Sequence, residues 1–113
     1  MNLIEEIKKV VKMEVRPNSE GLEYLEAVLT KKDLNLLESM LIKHLGPATK
    51  NRGKELHLPE AIQEVVDSIG GLWPGQSFFY KQEGHEIIFA ALWPWLTDPD
   101  KVTLKSGKRK LSR

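Results

Sequence analysis

His44, His57 and His85 are the side chains best suited to act as a general base or to ligate a metal, because imidazole titrates in the physiological range and offers a neutral lone pair. Their spacing fits neither use. No pair has the His-x-His or His-Glu-x-x-His separation that would set two rings on one side of a strand or helix. His44 falls in the last turn of an expected helix, where a positive or polarisable ring suits the carboxyl end. His57 stands between Leu56 and Leu58, and His85 sits beside Glu86 in an expected turn. Of the candidate nucleophiles Ser39, Ser68 and Ser77, none lies in a Gly-x-Ser-x-Gly turn. The acidic pairs Glu5 with Glu6, Asp98 with Asp100 and Glu83 with Glu86 fall at a helix start or in turns, where carboxylates are solvated. Cysteine is absent, which excludes disulfides, thiolate metal sites, Fe–S clusters and cysteine nucleophiles. These patterns predict no catalytic residue, no metal and no cofactor.

Gly70-Gly-Leu-Trp-Pro-Gly75-Gln76-Ser77 has the glycine spacing of a phosphate-binding loop, with glutamine where the lysine belongs. Such a loop works by leading a strand into a helix whose free N–H groups face the anion. Here the expected order is helix, glycines, strand, so the physics is reversed and a helix stop with a tight connector explains the glycines. Gly46 to Gly53-Lys54 has the wrong spacing and no following hydroxyl.

Two other features point to binding. All three Trp, all three Phe and one of the two Tyr lie between Trp73 and Trp95. Trp93 continues the row Ile87, Phe89, Ala91 and is expected in the core. Trp73, Gln76, Tyr80 and Trp95 are the candidate surface for a partner or ligand, since rigid aromatic groups carry much of the energy at interfaces. The second feature is charge. All 16 acids lie at or before Asp100 while six of the 17 Lys and Arg follow it, so a net −5 up to Asp100 gives way to +6 beyond it. Lys50, Arg52 and Lys54 form a smaller basic cluster. These three, with Lys105, Lys108, Arg109, Lys110 and Arg113, are the candidate anion contacts.

The elements that would position these residues follow from periodicity. Leu3, Ile4, Ile7, Val10 and Val11 share one helical face, Asn2 with Glu5 caps it, and Arg16-Pro17 ends the run, so helix 1 spans residues 3–14 and its stripe packs on this domain or on another chain. Residues 22–29 fit both periods and are read as extended, because Thr30 with Asp33 and Leu29 with Leu34 carry the cap and staple spacing of a helix starting at Lys31. That helix turns Leu34, Leu37, Leu41 and Leu45 inward and stops at Gly46-Pro47. Residues 47–57 read as a loop, and Pro59 with Ile62, Val65, Val66 and Ile69 predicts a third helix over 59–69. From Gln76 the period becomes two, giving a strand, a Glu83-Gly84 turn, a second strand over 86–93 that is apolar on both faces, and a short last strand at Val102 and Leu104.

The chain of 113 residues is thus expected to be one α+β domain over 1–105, with helix 1 semi-independent, followed by a flexible basic tail over 106–113. Three helices pack on a mainly antiparallel sheet of four strands in the order α-β-α-α-β-β-β. Glu5, Glu6, Lys8 and Lys9 interrupt any signal-like apolar stretch, and the longest uncharged run is far shorter than the roughly 20 residues of a membrane span. A soluble cytoplasmic protein is the expectation. Its function reads as a small non-catalytic binding or adaptor module that uses its aromatic surface for a protein partner or for self-association. The alternatives are a nucleic-acid module using the basic loop and tail, which requires both on one face, and a ligand pocket or minor enzyme walled by Trp73, Tyr80 and Trp95, which requires a His or carboxylate directed into a concave site.

Overall fold

The structure, a computed structural model of the chain, describes residues 3–17, 19, 23–47, 59–71 and 76–110. Its elements are α1 (Leu3–Val10), β1 (Glu14–Val15), β2 (Tyr24–Thr30), a 3-10 turn (Lys31–Asp33), α2 (Leu34–Leu45), α3 (Glu60–Ser68), β3 (Ser77–Glu83), β4 (Glu86–Pro94) and β5 (Lys101–Lys110). The architecture is the expected α+β layout, three helices on an antiparallel sheet. The sheet has five strands rather than four, ordered β1-β2-β5-β4-β3, and each neighbouring pair is antiparallel.

Cross-strand partners share a face. The row Leu25, Ser106, Ala90, Phe79 therefore lies on one side of the sheet, and the adjacent row Tyr24, Gly107, Phe89, Tyr80 on the other. The first side is covered by Leu3, Ile4, Ile7 and Val11 from α1 and its end, and by Leu37, Leu41 and Leu45 from α2. The second is covered by Ile62, Val65 and Val66 of α3 and by Ile69 just beyond it. β4, apolar on both faces, is an inner strand packed on both sides, because such a strand has no face to give to water. Of the two partners open to the α1 stripe, the structure shows this domain: Leu3, Ile4, Ile7 and Val11 pack with the sheet and α2.

Boundaries move where a tertiary contact supplies what a local signal was expected to supply. α1 stops at Val10, short of residue 14; Val11 N–H still donates to Ile7 O at 2.9 Å, and Glu14 and Val15 then pair with Val28 and Ala27 on the open edge of β2. Thr30 makes no side-chain cap. Lys31 N–H instead donates to Asp100 O at 2.7 Å, so the free donor is satisfied by the β4–β5 connection, residues 31–33 tighten into the 3-10 turn, and the α-helix begins at Leu34. α2 ends as its sequence predicts. Gly46 takes φ 84°, in the left-handed region that favours glycine, and its N–H donates to Ile42 O at 2.9 Å.

The largest correction concerns β5. The expected short strand at Val102 and Leu104, followed by a tail from residue 106, is one strand through Lys110. Ser106 and Gly107 pair with Ala90 and Phe89 on one edge and with Leu25 and Tyr24 on the other. β2 and β4 present two long edges of backbone donors and acceptors, and filling the gap between them outweighs the weak strand propensity of a basic, glycine-containing segment. Gly107 makes the closeness possible: a Cβ there would stand 2.7 Å from Glu23 O and 3.1 Å from Tyr24 Cδ1. Gly107→Ala is therefore expected to cost about 1–3 kcal/mol through forced backbone displacement. A urea unfolding midpoint equal to that of the parent protein would show that β2 and β5 are not packed this tightly.

Candidate functional site

Among the described residues, the candidates Gln76, Tyr80 and Trp95 stand in different surroundings. Gln76 is buried, and Tyr80 is half-buried with its ring centroid 5.8 Å from that of Phe78. Tyr80 lies opposite Phe89 in the register, whereas Trp95 follows six residues further along the β4 direction, roughly 20 Å away at strand rise. Tyr80 and Trp95 thus belong to different regions, and Gln76 belongs to the interior. Trp73, Lys50, Arg52, Lys54, His57 and Arg113 lie outside the described residues.

The cations of β5 are divided by strand alternation. Lys101, Lys105 and Arg109 project on the α3 side and Lys108 on the α1–α2 side, while Lys110, at the end of the strand, lines a shallow groove with Arg109 and with Ala61, Glu64, Val65 and Ser68 of α3. Each of the first three lies over an aromatic ring. Lys101 Nζ is 5.1 Å from the Trp95 centroid, Lys105 Nζ is 4.6 Å from that of Trp93, and the Arg109 guanidinium carbon is 5.1 Å from Tyr24 and 5.9 Å from Phe89. Lys105 goes further: its Nζ donates to Ile69 O at 2.8 Å and stands 3.8 Å from Glu26 Oε1. Ile69 is the first residue past α3, so this ammonium meets the carbonyl end of a helix, where a cation is favoured. Arg109 Nη1 donates to Lys108 O at 2.9 Å. Lys105 and Arg109 are engaged with their own chain; Lys110 is exposed.

Trp95 is half-buried and held from three directions. Its Nε1–H donates to Thr103 Oγ1 at 2.8 Å, its backbone N–H donates to Lys101 O at 3.0 Å, and Lys101 lies over its ring. Lys101 in turn stands 4.0 Å from Asp98 Oδ2. Leu96, next in the chain, is fully exposed at 103%. Lys101 also lines an open groove of about 390 Å³ with Lys12, Met13, Val28 and Thr30, so the pinned indole and the groove share one side chain. Sequence reasoning missed Leu96; the available signal was a leucine placed between Trp95 and a Thr-Asp-Pro-Asp turn, past the alternation that would have buried it.

His44 is half-buried at the end of α2 and pairs through Nε2 with Glu6 Oε2 of α1, tying the two helices together. His85 is exposed in the β3–β4 turn. Ser39, Ser68 and Ser106 each donate their hydroxyl proton to a backbone carbonyl, of Asn35, Val65 and Phe89 respectively. Among the described residues no three His, Asp or Glu side chains gather to hold a metal ion, and no helix is long and apolar enough to cross a membrane. Comparison with protein-family models, with curated proteins and with solved structures finds no match to the chain.

The geometry makes Lys105 a structural residue. Lys105→Met keeps the stem packed on Trp93 but removes the donor to Ile69 O, and is expected to destabilise the fold by about 1–2 kcal/mol. Lys110→Gln on the same strand should stay within about 0.5 kcal/mol of the parent. Equal thermal midpoints for the two variants would remove Lys105 from that role.

Proposed function

We propose that the protein is a cytoplasmic, non-catalytic binding module that contacts a protein partner through Trp95 and Leu96. The observation that carries this reading is the fully exposed Leu96 beside an indole fixed by Thr103 and Lys101. An exposed leucine alone means little, since much of any protein surface is apolar. Fixed next to a tryptophan it is a pre-organised contact: a partner covering both removes apolar area from water without having to order the indole first. The adjoining groove, lined by Met13, Val28 and Leu29 with Lys12, Glu14 and Lys101, offers a place for an apolar side chain with polar groups at its rim.

The engagement of Lys101, Lys105 and Arg109 with rings and acceptors of their own chain weighs against a phosphate-contacting stripe, which is what nucleic-acid binding by this segment would need. A photoreactive residue placed at position 96 is expected to give a discrete crosslinked protein adduct in cells, and the same residue at position 43 on exposed α2 is not. Trp95→Ala in the position-96 protein should abolish that adduct. Identical adducts from positions 96 and 43, or an adduct indifferent to Trp95, would overturn the assignment.

A further inference from the structure

At the other end of the sheet from Leu96 lies a cavity of about 200 Å³ between the start of α1, the end of α2 and the strands β3, β4 and β5. It is roughly 24 Å from Lys101 along β5, so it is physically independent of the surface described above. Its apolar wall is Leu3 and Ile4 of α1, Leu45 of α2 and Ile88 of β4. Its polar lining has a particular order. Lys81, Ile88 and Lys108 occupy one cross-strand row, so two lysines flank the same isoleucine on the α1–α2 side. Their backbones are roughly 10 Å apart, twice the strand spacing, and flexible stems of this length can bring both ammonium groups to one anion above Ile88.

The charge lining the cavity is unbalanced. Glu83 Oε1 stands 3.5 Å from Lys81 Nζ and offsets one lysine, and His44 is already engaged with Glu6. Two lysines against one glutamate leave a single positive charge next to an apolar wall. Ser106, the small residue that β5 turns to this side, keeps the space open, and Gly107 beside it turns its Cα toward the α3 side. A hole of about 150 Å³ accommodates a benzene ring, so this cavity has room for one such ring or a short branched chain together with a carboxylate.

We propose that this cavity binds a small monocarboxylate with a compact apolar body, its carboxylate held between Lys81 and Lys108 and its body against Leu3, Ile4, Leu45 and Ile88. The apolar wall selects against bare inorganic anions, and the single unbalanced charge selects against dianions.

The test uses the full chain, isotopically labelled, titrated at low salt with phenylacetate, with its neutral isostere phenylacetamide and with inorganic phosphate. Phenylacetate is expected to give saturable amide shifts at Ile88, Ser106 and Lys108, with phenylacetamide weaker by roughly tenfold and phosphate weaker still. Lys81→Gln and Lys108→Gln should each weaken phenylacetate by roughly two- to fivefold and leave phenylacetamide unaffected. Lys81 is more than half exposed, so its variant tests binding rather than folding. Lys110→Gln, outside the cavity lining, should change nothing. The proposal is overturned if phenylacetamide binds as well as phenylacetate, if phosphate matches it, if neither lysine variant differs from Lys110→Gln, or if no saturable shift arises.

Discussion

Between Val102 and Gly107, β5 is hydrogen-bonded on both edges at once, to β2 and to β4. β2 precedes both α2 and α3, and the β3–β4 hairpin follows them, so the last strand joins two parts of the sheet that are far apart in the chain. Each covering layer depends on that joint. α1 and α2 pack on side chains from β2, β3, β4 and β5 together, and α3 packs on Tyr24 from one side of β5 as well as Phe78, Ile87 and Phe89 from the other. Gly107 sits at the closest point of the joint, where only hydrogen in place of a Cβ lets Glu23 and Tyr24 approach.

The same strand converts composition into geometry. Seen as a sequence, the cations after Asp100 form a basic block; seen in the sheet, they alternate. The three on the α3 side meet aromatic groups on neighbouring strands or at their ends: Trp93 lies opposite Thr103 and diagonal to Lys105, while Phe89 and Tyr24 lie opposite Gly107 and diagonal to Arg109. Diagonal neighbours are within reach of long side chains, so each cation finds a ring without leaving the strand's own direction. The clustering of aromatic residues in β3 and β4 and of cations in β5 is therefore largely one structural arrangement, in which stems pack on rings and ammonium or guanidinium groups are satisfied by the chain itself.

Two features at opposite ends of the sheet stand outside this arrangement. At one end the alternation runs out past Pro94, and Leu96 is left in water beside an indole that Thr103 and Lys101 hold still. At the other end, α1 begins and α2 finishes above a row in which Lys81 and Lys108 flank Ile88. The pairing of His44 with Glu6 fixes those two helices to one another beside that cavity. The half-buried imidazole of His44 thus joins α2 to α1 and lines the cavity at the same time.

The sequence by itself determined what local patterns can encode. The leucine spacing and Gly46-Pro47 defined α2, the valine and isoleucine spacing defined α3, and the two apolar rows of β4 required an inner strand covered on both faces; each is a periodicity or a backbone preference confined to a few neighbouring residues. The tertiary structure decided the rest. β1 exists because β2 has an edge to fill, and the α2 entry is tightened because Asp100 reaches Lys31. β5 runs on through Ser106 and Gly107 because β2 and β4 leave a gap there, and reaches Lys110 along the edge of β4. None of these donors and acceptors is near its partner in the chain, so no window of sequence shows them. The division of the basic residues, the exposure of Leu96 beside a pinned Trp95 and the meeting of Lys81 with Lys108 across Ile88 all follow from strand register. Register is a long-range quantity, set by which edges meet, and becomes visible only when the sheet is assembled.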